Sequence, residues 1–181
     1  MADWTGRRIL RELSDQELRQ RILTTFFRRG DDHARHLAIV TLAGSLRFRP
    51  ETLRKAPAER KAELLASRLA AADFEETFDN ALMVYHTSEA REMLAAFLDQ
   101  WGIPHVEGSI EVDDYTPPSP EAVDQAVALL RDRFPVRDIA VYLASAGLLM
   151  GVSIPEWRVA TWPTADRLAA ELCPPSPEPL H

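Results

Sequence analysis

The stretch that decides the fold lies in the first quarter of the chain and reads Leu37-Ala38-Ile39-Val40-Thr41-Leu42-Ala43-Gly44. On a helix of 3.6 residues per turn, its apolar side chains point in nearly every direction, whereas a helix at the surface keeps one polar side. We therefore predict a central, buried helix over about 32–46.

Apolar residues recur at helical spacing on both sides of this stretch. Capping residues, prolines and glycines divide the pattern into further helices over about 15–28, 50–55, 57–72, 74–86, 89–101, 120–133, 136–150 and 164–173. The first of these is expected to begin with a capping box of Ser14 and Glu17 and to end at Gly30 in a left-handed conformation. Because the connections are short, neighbouring helices should run antiparallel. The sequence predicts an all-α fold of about eight helices in a compact orthogonal or bundle-like array.

Two segments do not fit the helical pattern. Residues 102–119 contain two glycines and three prolines, which excludes a continuous helix and predicts one long irregular loop. Residues 151–163 are also expected to be irregular. We predict a single helical domain over 1–173, in which 102–119 is either a functional loop or the joint between two subdomains. The Pro-rich tail, 174–181, should be extended or disordered.

The charge of the chain is unevenly distributed. Residues 1–70 carry 15 Arg or Lys and 9 Asp or Glu, whereas residues 71–181 carry 6 and 19. Such asymmetry indicates an anionic partner for one half, or two halves that face each other. Helix-end charges account for part of it. The remainder is a basic cluster around Phe48 and the acids of 107–124, which we expect to face each other or to mark one partner surface.

Composition also indicates the compartment. The chain has one cysteine, Cys173, which fits a reducing cytoplasm and is expected at a helix end as a half-buried residue. The first residues include Asp3 and no apolar stretch, so no secretory signal is expected. No apolar run approaches the roughly 20 residues needed to span a bilayer, so no membrane association is expected.

One group of residues has the side chains that bind metals. His33 and His36 share a helix face, and His86 with Glu89 repeats their spacing. Together with Asp32 they could form a zinc or iron site, as in a metal-dependent helical enzyme. The simpler interpretation is that Asp32 stabilises a helix start and that the two nearby histidines are exposed on its first turn. Under that interpretation no cofactor is expected.

A second candidate surface is basic. Cations end one predicted helix and follow the central one, and the patch comprises Arg28, Arg29, Arg47, Phe48, Arg49, Arg54 and Lys55. If both helix ends lie on one side of the molecule, this patch would bind anions or nucleic acid in a salt-dependent manner. The sequence pI of about 5.3 makes nucleic acid an unexpected partner. An ordinary solvated surface and an acidic protein partner are the alternatives.

Three further residues are candidates for contact. His105 lies in the irregular loop, where functional residues concentrate. Trp157 and Trp162 lie in the second irregular segment, where large aromatic side chains either fill a core, which we favour, or form a contact surface.

The sequence contains no motif that is specific for a reaction. We therefore expect a non-catalytic helical interaction or regulatory module that binds a protein partner or self-associates. The metal-dependent enzyme and the anion or nucleic-acid binder are the alternatives.

Overall fold

The computed structural model describes residues 3–110, 115–149 and 155–172, and it confirms the all-α prediction. The described residues contain ten α-helices, somewhat more than the predicted eight. In chain order, α1 to α10 are Gly6–Glu12, Gln16–Arg29, Asp32–Leu46, Pro50–Lys55, Ala58–Ala66, Glu75–Ser88, Arg91–Gln100, Pro120–Leu130, Val136–Leu149 and Pro155–Leu172. A single 3-10 turn, Ala72–Phe74, precedes α6.

Three helices depart from the sequence prediction. One of them, α5, is predicted over 57–72 but ends at Ala66. The predicted pattern has no counterpart of α1, which has only two turns and is too short to show a periodicity, although its Ile9 and Leu10 are fully buried. The predicted irregular segment 151–163 is also wrong over 155–163, because α10 begins at Pro155 and continues through Pro163, and residues 151–154 lie outside the described residues. A proline inside a helix costs about 3 kcal/mol. The burial of Trp157 and Trp162 before it and of Ala165 and Leu168 after it offsets this cost.

Three helix ends also differ from prediction. Asp15, not Ser14, caps α2 by accepting a hydrogen bond from the N–H of Leu18 at 2.8 Å, while the Ser14 hydroxyl donates to the carbonyl of Leu10 at 2.6 Å. Gly30 has an extended conformation with φ of −60°, so it is not the left-handed residue that we expected. The left-handed helix end belongs instead to Arg47, which follows α3.

The helices pack around one hydrophobic cluster that extends from Trp4 to Leu168. In it, α2 packs against α5 and α6, α9 packs against α10 and α6, and α1 lies against α6 and α9. The Trp4 indole N–H donates to Asp166 at 3.0 Å and so ties the start of the chain to α10. None of the described helices is both long and apolar enough to cross a bilayer.

The predicted central helix is buried on one side only. Ala38, Ile39, Leu42 and Ala43 of α3 face the core. On the opposite side of the same helix, however, large apolar side chains face solvent. The prediction of a buried helix is therefore wrong for half of its surface, because the neighbouring helices reach α3 from one side.

The predicted long loop contains a small hairpin. His105–Val106 pairs antiparallel with Ser109–Ile110. Both residues of its two-residue turn have positive φ, 49° at Glu107 and 86° at Gly108, as tight hairpin turns require. Residues 111–114 of this loop, Cys173 and the tail 174–181 lie outside the described residues.

Candidate functional site

The outward side of α3 carries a line of residues with apolar or small side chains. His33, Leu37, Val40 and Gly44 succeed one another at steps of four, three and four residues, which places them on one helix face. All four are exposed, and the exposed fractions of Leu37 and Val40 are 46% and 41%. A Cβ atom built on Gly44 would meet nothing within 4 Å, so this side of α3 is open.

Charged side chains are missing from this line. Between residues 33 and 46, all of which the structure describes, the only Asp, Glu, Lys or Arg is Arg35. Arg35 lies on another side of the helix, where it contacts the carbonyl of Phe27 at 3.3 Å. An exposed helix face in a soluble protein is normally charged or polar, so the composition of this face is unusual.

The end of α3 adds a third large apolar residue. Arg47 adopts a left-handed conformation with φ of 56° and ψ of 36°. This conformation directs the N–H of Phe48 back to the carbonyl of Ala43 at 2.9 Å. The Phe48 side chain, which follows directly after this helix end, is 47% exposed. We call the set His33, Leu37, Val40, Gly44 and Phe48 the α3 outer face.

A cavity of about 280 Å³ opens beside this face, between α3, α4 and α5. It is lined by Phe27, Asp32, Arg35, His36, Ile39, Arg54 and Lys61. Three of these residues carry a positive charge and one carries a negative charge. We call it the cationic cavity. It combines members of both predicted groups, Asp32 and His36 from the metal candidates and Arg54 from the basic patch, with two cations that the sequence did not single out.

The structure does not bring the predicted metal ligands together. His33, His36 and Glu89 are exposed, whereas His86 is completely buried. Asp32 forms an ion pair with Arg35. In the described parts of the chain, no group of three or more His, Cys, Asp or Glu residues could hold a metal ion.

His86 instead belongs to the packing between α6 and α9. Its Nε2 lies 3.0 Å from the Ser145 hydroxyl, which itself donates to the carbonyl of Val141 at 2.7 Å. The imidazole must therefore donate from Nε2, and its ring lies 5.4 Å from that of Tyr142. Burial lowers the pKa of His86 to about 3, so the ring is neutral.

The predicted basic patch is divided by the length of α3. Arg28 and Arg29 end α2 next to the start of α3, whereas Arg47 and Arg49 follow its end. A helix of 15 residues is about 22 Å long, which separates the two pairs. Arg28 also forms an ion pair with Glu59.

The two remaining cations of that patch lie on α4. Arg54 reaches His36, with its Nη2 3.4 Å from the imidazole Nδ1, whereas Lys55 is exposed and does not line the cationic cavity.

The other candidate contact residues have structural positions. His105 accepts a hydrogen bond from the N–H of Gly108 at 3.1 Å and directs its other nitrogen to Asp99 at 3.1 Å, so it closes the hairpin. Trp157 is fully buried, and Trp162 is 4% exposed with its indole N–H donating to the carbonyl of Ala144 at 3.1 Å. Both tryptophans fill the core, which is the interpretation that we favoured, but they lie in a helix and not in the predicted loop.

The two oppositely charged halves meet away from the Phe48 cluster. Arg7 pairs with Glu75 at 3.1 Å, and Arg21 pairs with Asp138 at 3.0 Å. In the described part of 107–124, Glu107 instead pairs with Arg91. Asp124 accepts hydrogen bonds from Thr164 and Arg167. Exposed pairs of this kind contribute about 0–1 kcal/mol each.

A second groove, of about 600 Å³, follows α2. It is lined by Gln16, Glu17, Gln20, Arg21, Thr24, Thr25, Arg28, Glu59 and Glu89. Of these, the sequence singled out only Arg28 and Glu89. Both arginines of the groove are paired with carboxylates, and Arg21 also lies over the Tyr85 ring at 5.6 Å. The groove is therefore close to neutral, in contrast to the cationic cavity.

Comparisons with protein-family models, with curated proteins and with solved structures find no match to this chain.

Proposed function

We propose that this protein is a non-catalytic helical interaction module whose partner on the α3 outer face is a second copy of the same chain. The observation that carries the proposal is the uncharged apolar composition of a face that stays exposed. Contiguous exposed apolar surface on a soluble protein marks an interaction site more often than chance.

The spacing of the outer face is self-complementary. Steps of four, three and four residues are those of the contact positions of a coiled coil. When two such helices lie antiparallel about a two-fold axis, Leu37 of one copy faces Val40 of the other, and both pairs form together. In the same register His33 faces Gly44, which has no side chain and leaves room for the imidazole. An isologous contact of this kind closes on itself as a dimer.

The charges at the ends of α3 favour the same arrangement. Asp31 and Asp32 lie at the start of the helix, and Arg47 and Arg49 lie just beyond its end. An antiparallel pair places these acids of each copy near the cations of the other, and it also opposes the two helix dipoles favourably. Arg28 and Arg29, which end α2 beside the start of α3, approach the same cations, but Arg28 is already paired with Glu59.

The available surface predicts a weak dimer. The exposed parts of Leu37, Val40 and Phe48 correspond to roughly 200 Å² of apolar surface per chain, worth about 10 kcal/mol for both copies at about 25 cal/mol per Å². Association costs about 4–15 kcal/mol in lost translational and rotational freedom. With a cost at the low end of this range, about 4–5 kcal/mol, the remainder corresponds to a dissociation constant on the order of 0.1 mM, and a higher cost gives a still weaker dimer.

Sedimentation equilibrium over a range of protein concentrations tests the proposal. Leu37→Glu introduces a charge that faces Val40 of the other copy, and we expect it to weaken dimerisation at least about tenfold. Leu129→Glu is the matched control, because it makes the same leucine-to-glutamate change on another helix, α8, at a side chain that is 66% exposed. A wild-type chain that stays monomeric at millimolar concentration would refute a second copy as the partner. Equal weakening by both variants would refute the α3 outer face as the contact.

The antiparallel register has its own test. Single-cysteine variants Leu37→Cys and Val40→Cys are prepared in a Cys173→Ser background and mixed under oxidising conditions. The proposed register brings these two positions within disulfide distance, so the mixed disulfide should form faster than either homodisulfide. Faster formation of the homodisulfides would indicate a parallel pair and contradict the proposal.

We also propose a cytoplasmic location. Its support is the single cysteine of the chain, which fits a reducing compartment. Detection of the protein in a secreted or periplasmic fraction of its host would contradict this.

A further inference from the structure

The cationic cavity contains more positive charge than its own residues neutralise. Arg35, Arg54 and Lys61 line it together, and its only carboxylate, Asp32, is already paired with Arg35. In the described structure, neither Arg54 nor Lys61 forms an ion pair with a carboxylate. Like charges at such short range repel each other unless an anion lies between them.

Each of the two unpaired cations is positioned by a contact that leaves its charge available. The Arg54 guanidinium lies 3.4 Å from Nδ1 of His36, which is not a carboxylate partner. The Lys61 ammonium lies 5.5 Å from the centre of the Phe27 ring. Burial, and next the charge of Arg35, lower the pKa of Lys61.

We infer that the cationic cavity is a binding site for the phosphate group of a small phosphorylated molecule. A phosphate group carries nearly two negative charges, which match the two cations, Arg54 and Lys61, that no carboxylate neutralises in the described structure, and guanidinium groups bind it through two parallel hydrogen bonds. A volume of about 280 Å³ corresponds to roughly nine water molecules at about 30 Å³ each, which is more than a phosphate ion alone occupies. Phe27 and Ile39 supply an apolar wall for the remainder of the molecule.

This inference is independent of the proposed dimer. The cavity residues that carry the charge, Arg35, Arg54 and Lys61, are not members of the α3 outer face. A chain that fails to dimerise can therefore still bind phosphate, and a dimer can form without it. A nucleic acid is the less favoured ligand, because three cations in a recess do not form the extended basic surface that a phosphate backbone requires.

The lysine content of the chain makes a direct test available. The protein has only two lysines, Lys55 and Lys61, and Lys55 does not line the cavity. Reductive methylation with carbon-13 formaldehyde keeps both charges and gives NMR signals for the two lysines and for the α-amino group. The variants Lys55→Arg and Lys61→Arg assign the two lysine signals, because each removes one of them. The probes are inorganic phosphate, phenyl phosphate and a short single-stranded oligonucleotide, titrated separately.

We expect phenyl phosphate to shift the Lys61 signal saturably and to leave the Lys55 signal unchanged. Tighter binding of phenyl phosphate than of inorganic phosphate would assign a phosphate ester as the ligand. Equal binding would assign the free ion, and both results support the site. The inference is overturned if neither phosphate shifts the Lys61 signal, if both lysine signals move together without saturation, or if only the oligonucleotide binds.

Calorimetric titration of unmethylated variants provides a second measurement. Arg54→Gln and Lys61→Gln each remove one charged hydrogen bond, and we expect each to weaken phenyl phosphate binding roughly ten- to a hundredfold. Lys55→Gln is the matched control, since it removes the same charge outside the cavity, and it should change binding less than about twofold. Equal effects of Lys55→Gln and Lys61→Gln would overturn the inference. Circular dichroism of each variant establishes that the fold is retained.

Discussion

The buried histidine His86 should make the stability of the protein sensitive to mild acid. Its imidazole is enclosed between α6 and α9, its Nε2 is engaged with Ser145, and its Nδ1 is buried without a partner among the described residues. A second proton at Nδ1 would therefore have no acceptor. The charged imidazolium would also lose its hydration in this enclosed position, and burial therefore lowers the pKa of His86 in the folded protein to about 3.

The direction and size of the effect follow from proton linkage. The unfolded chain binds a proton at His86 below pH 6.5, whereas the folded protein does not until about pH 3. The unfolded state is thus stabilised as the pH falls through this window, and the free energy of unfolding declines by about 1.4 kcal/mol per pH unit. Between about pH 7.5 and about pH 5, this residue alone should cost about 2 kcal/mol.

Urea unfolding of wild type and His86→Phe at the two pH values measures this contribution. Phenylalanine keeps a planar ring between the neighbouring tyrosines and cannot titrate, so the variant should lack about 2 kcal/mol of the wild-type pH dependence. Burial raises the pKa of Asp79 and of Asp138, which acts in the opposite direction, but both carboxyls are present in wild type and variant and cancel in the difference. His33→Gln, which changes an exposed histidine, is the control.

If His86→Phe and wild type lose the same free energy of unfolding between the two pH values, protonation of His86 is not the cause of the acid sensitivity. His86→Asn is a second non-titrating variant, in case the phenyl ring does not fit. Its pH dependence, not its stability at neutral pH, is the quantity to compare.

Three further predictions concern glycine positions and helix ends, and the free energy of unfolding from chemical denaturation checks each of them. Gly6→Ala should destabilise the protein by about 2 kcal/mol or more, because the added Cβ would lie 2.6 Å from a backbone nitrogen of α6. Gly44→Ala should instead stabilise the monomer by about 0.5–1 kcal/mol, because a Cβ added there meets nothing within 4 Å. The idea of a close helix approach at Gly6 is wrong if the two variants behave alike. Arg47→Gly should stabilise by about 1 kcal/mol by relieving the left-handed conformation, and a loss of stability would contradict this. Asp15→Ala should cost about 1 kcal/mol as the loss of a helix cap, and unchanged stability would show that the cap at Asp15 contributes nothing.

Much of the helix pattern was predictable from local signals. The predicted bounds 32–46 and 50–55 agree with α3 and α4, because Asp31 accepts from the N–H of Ala34 as a cap and Pro50 begins a helix. The start of α10 was not predictable, since a proline at 163 ordinarily stops a helix. Only the burial of side chains before and after it, Trp157 and Trp162 on one side and Leu168 on the other, stabilises the helix through it.

The candidate sites were predictable in part. Asp32, His36 and Arg54 were singled out for two different chemistries, and the structure places all three in the cationic cavity. Lys61 completes that cavity from α5, and no feature of its own neighbourhood in the sequence indicates this. The predicted grouping of His86 with His33 depended on how the helices pack. In the folded protein His86 is in the core, whereas His33 is exposed to solvent.

The stretch Leu37-Ala38-Ile39-Val40-Thr41-Leu42-Ala43-Gly44 shows where the sequence stops being sufficient. By itself, the sequence determined that these residues form a helix and that its side chains are apolar on nearly every side, because helix periodicity and capping are local properties. Only the tertiary structure decided which side is covered. Burial depends on how many neighbours reach a helix, and here they leave Leu37, Val40 and Gly44 open. A pattern that predicts a core helix thus becomes, in the folded protein, a face available for a partner.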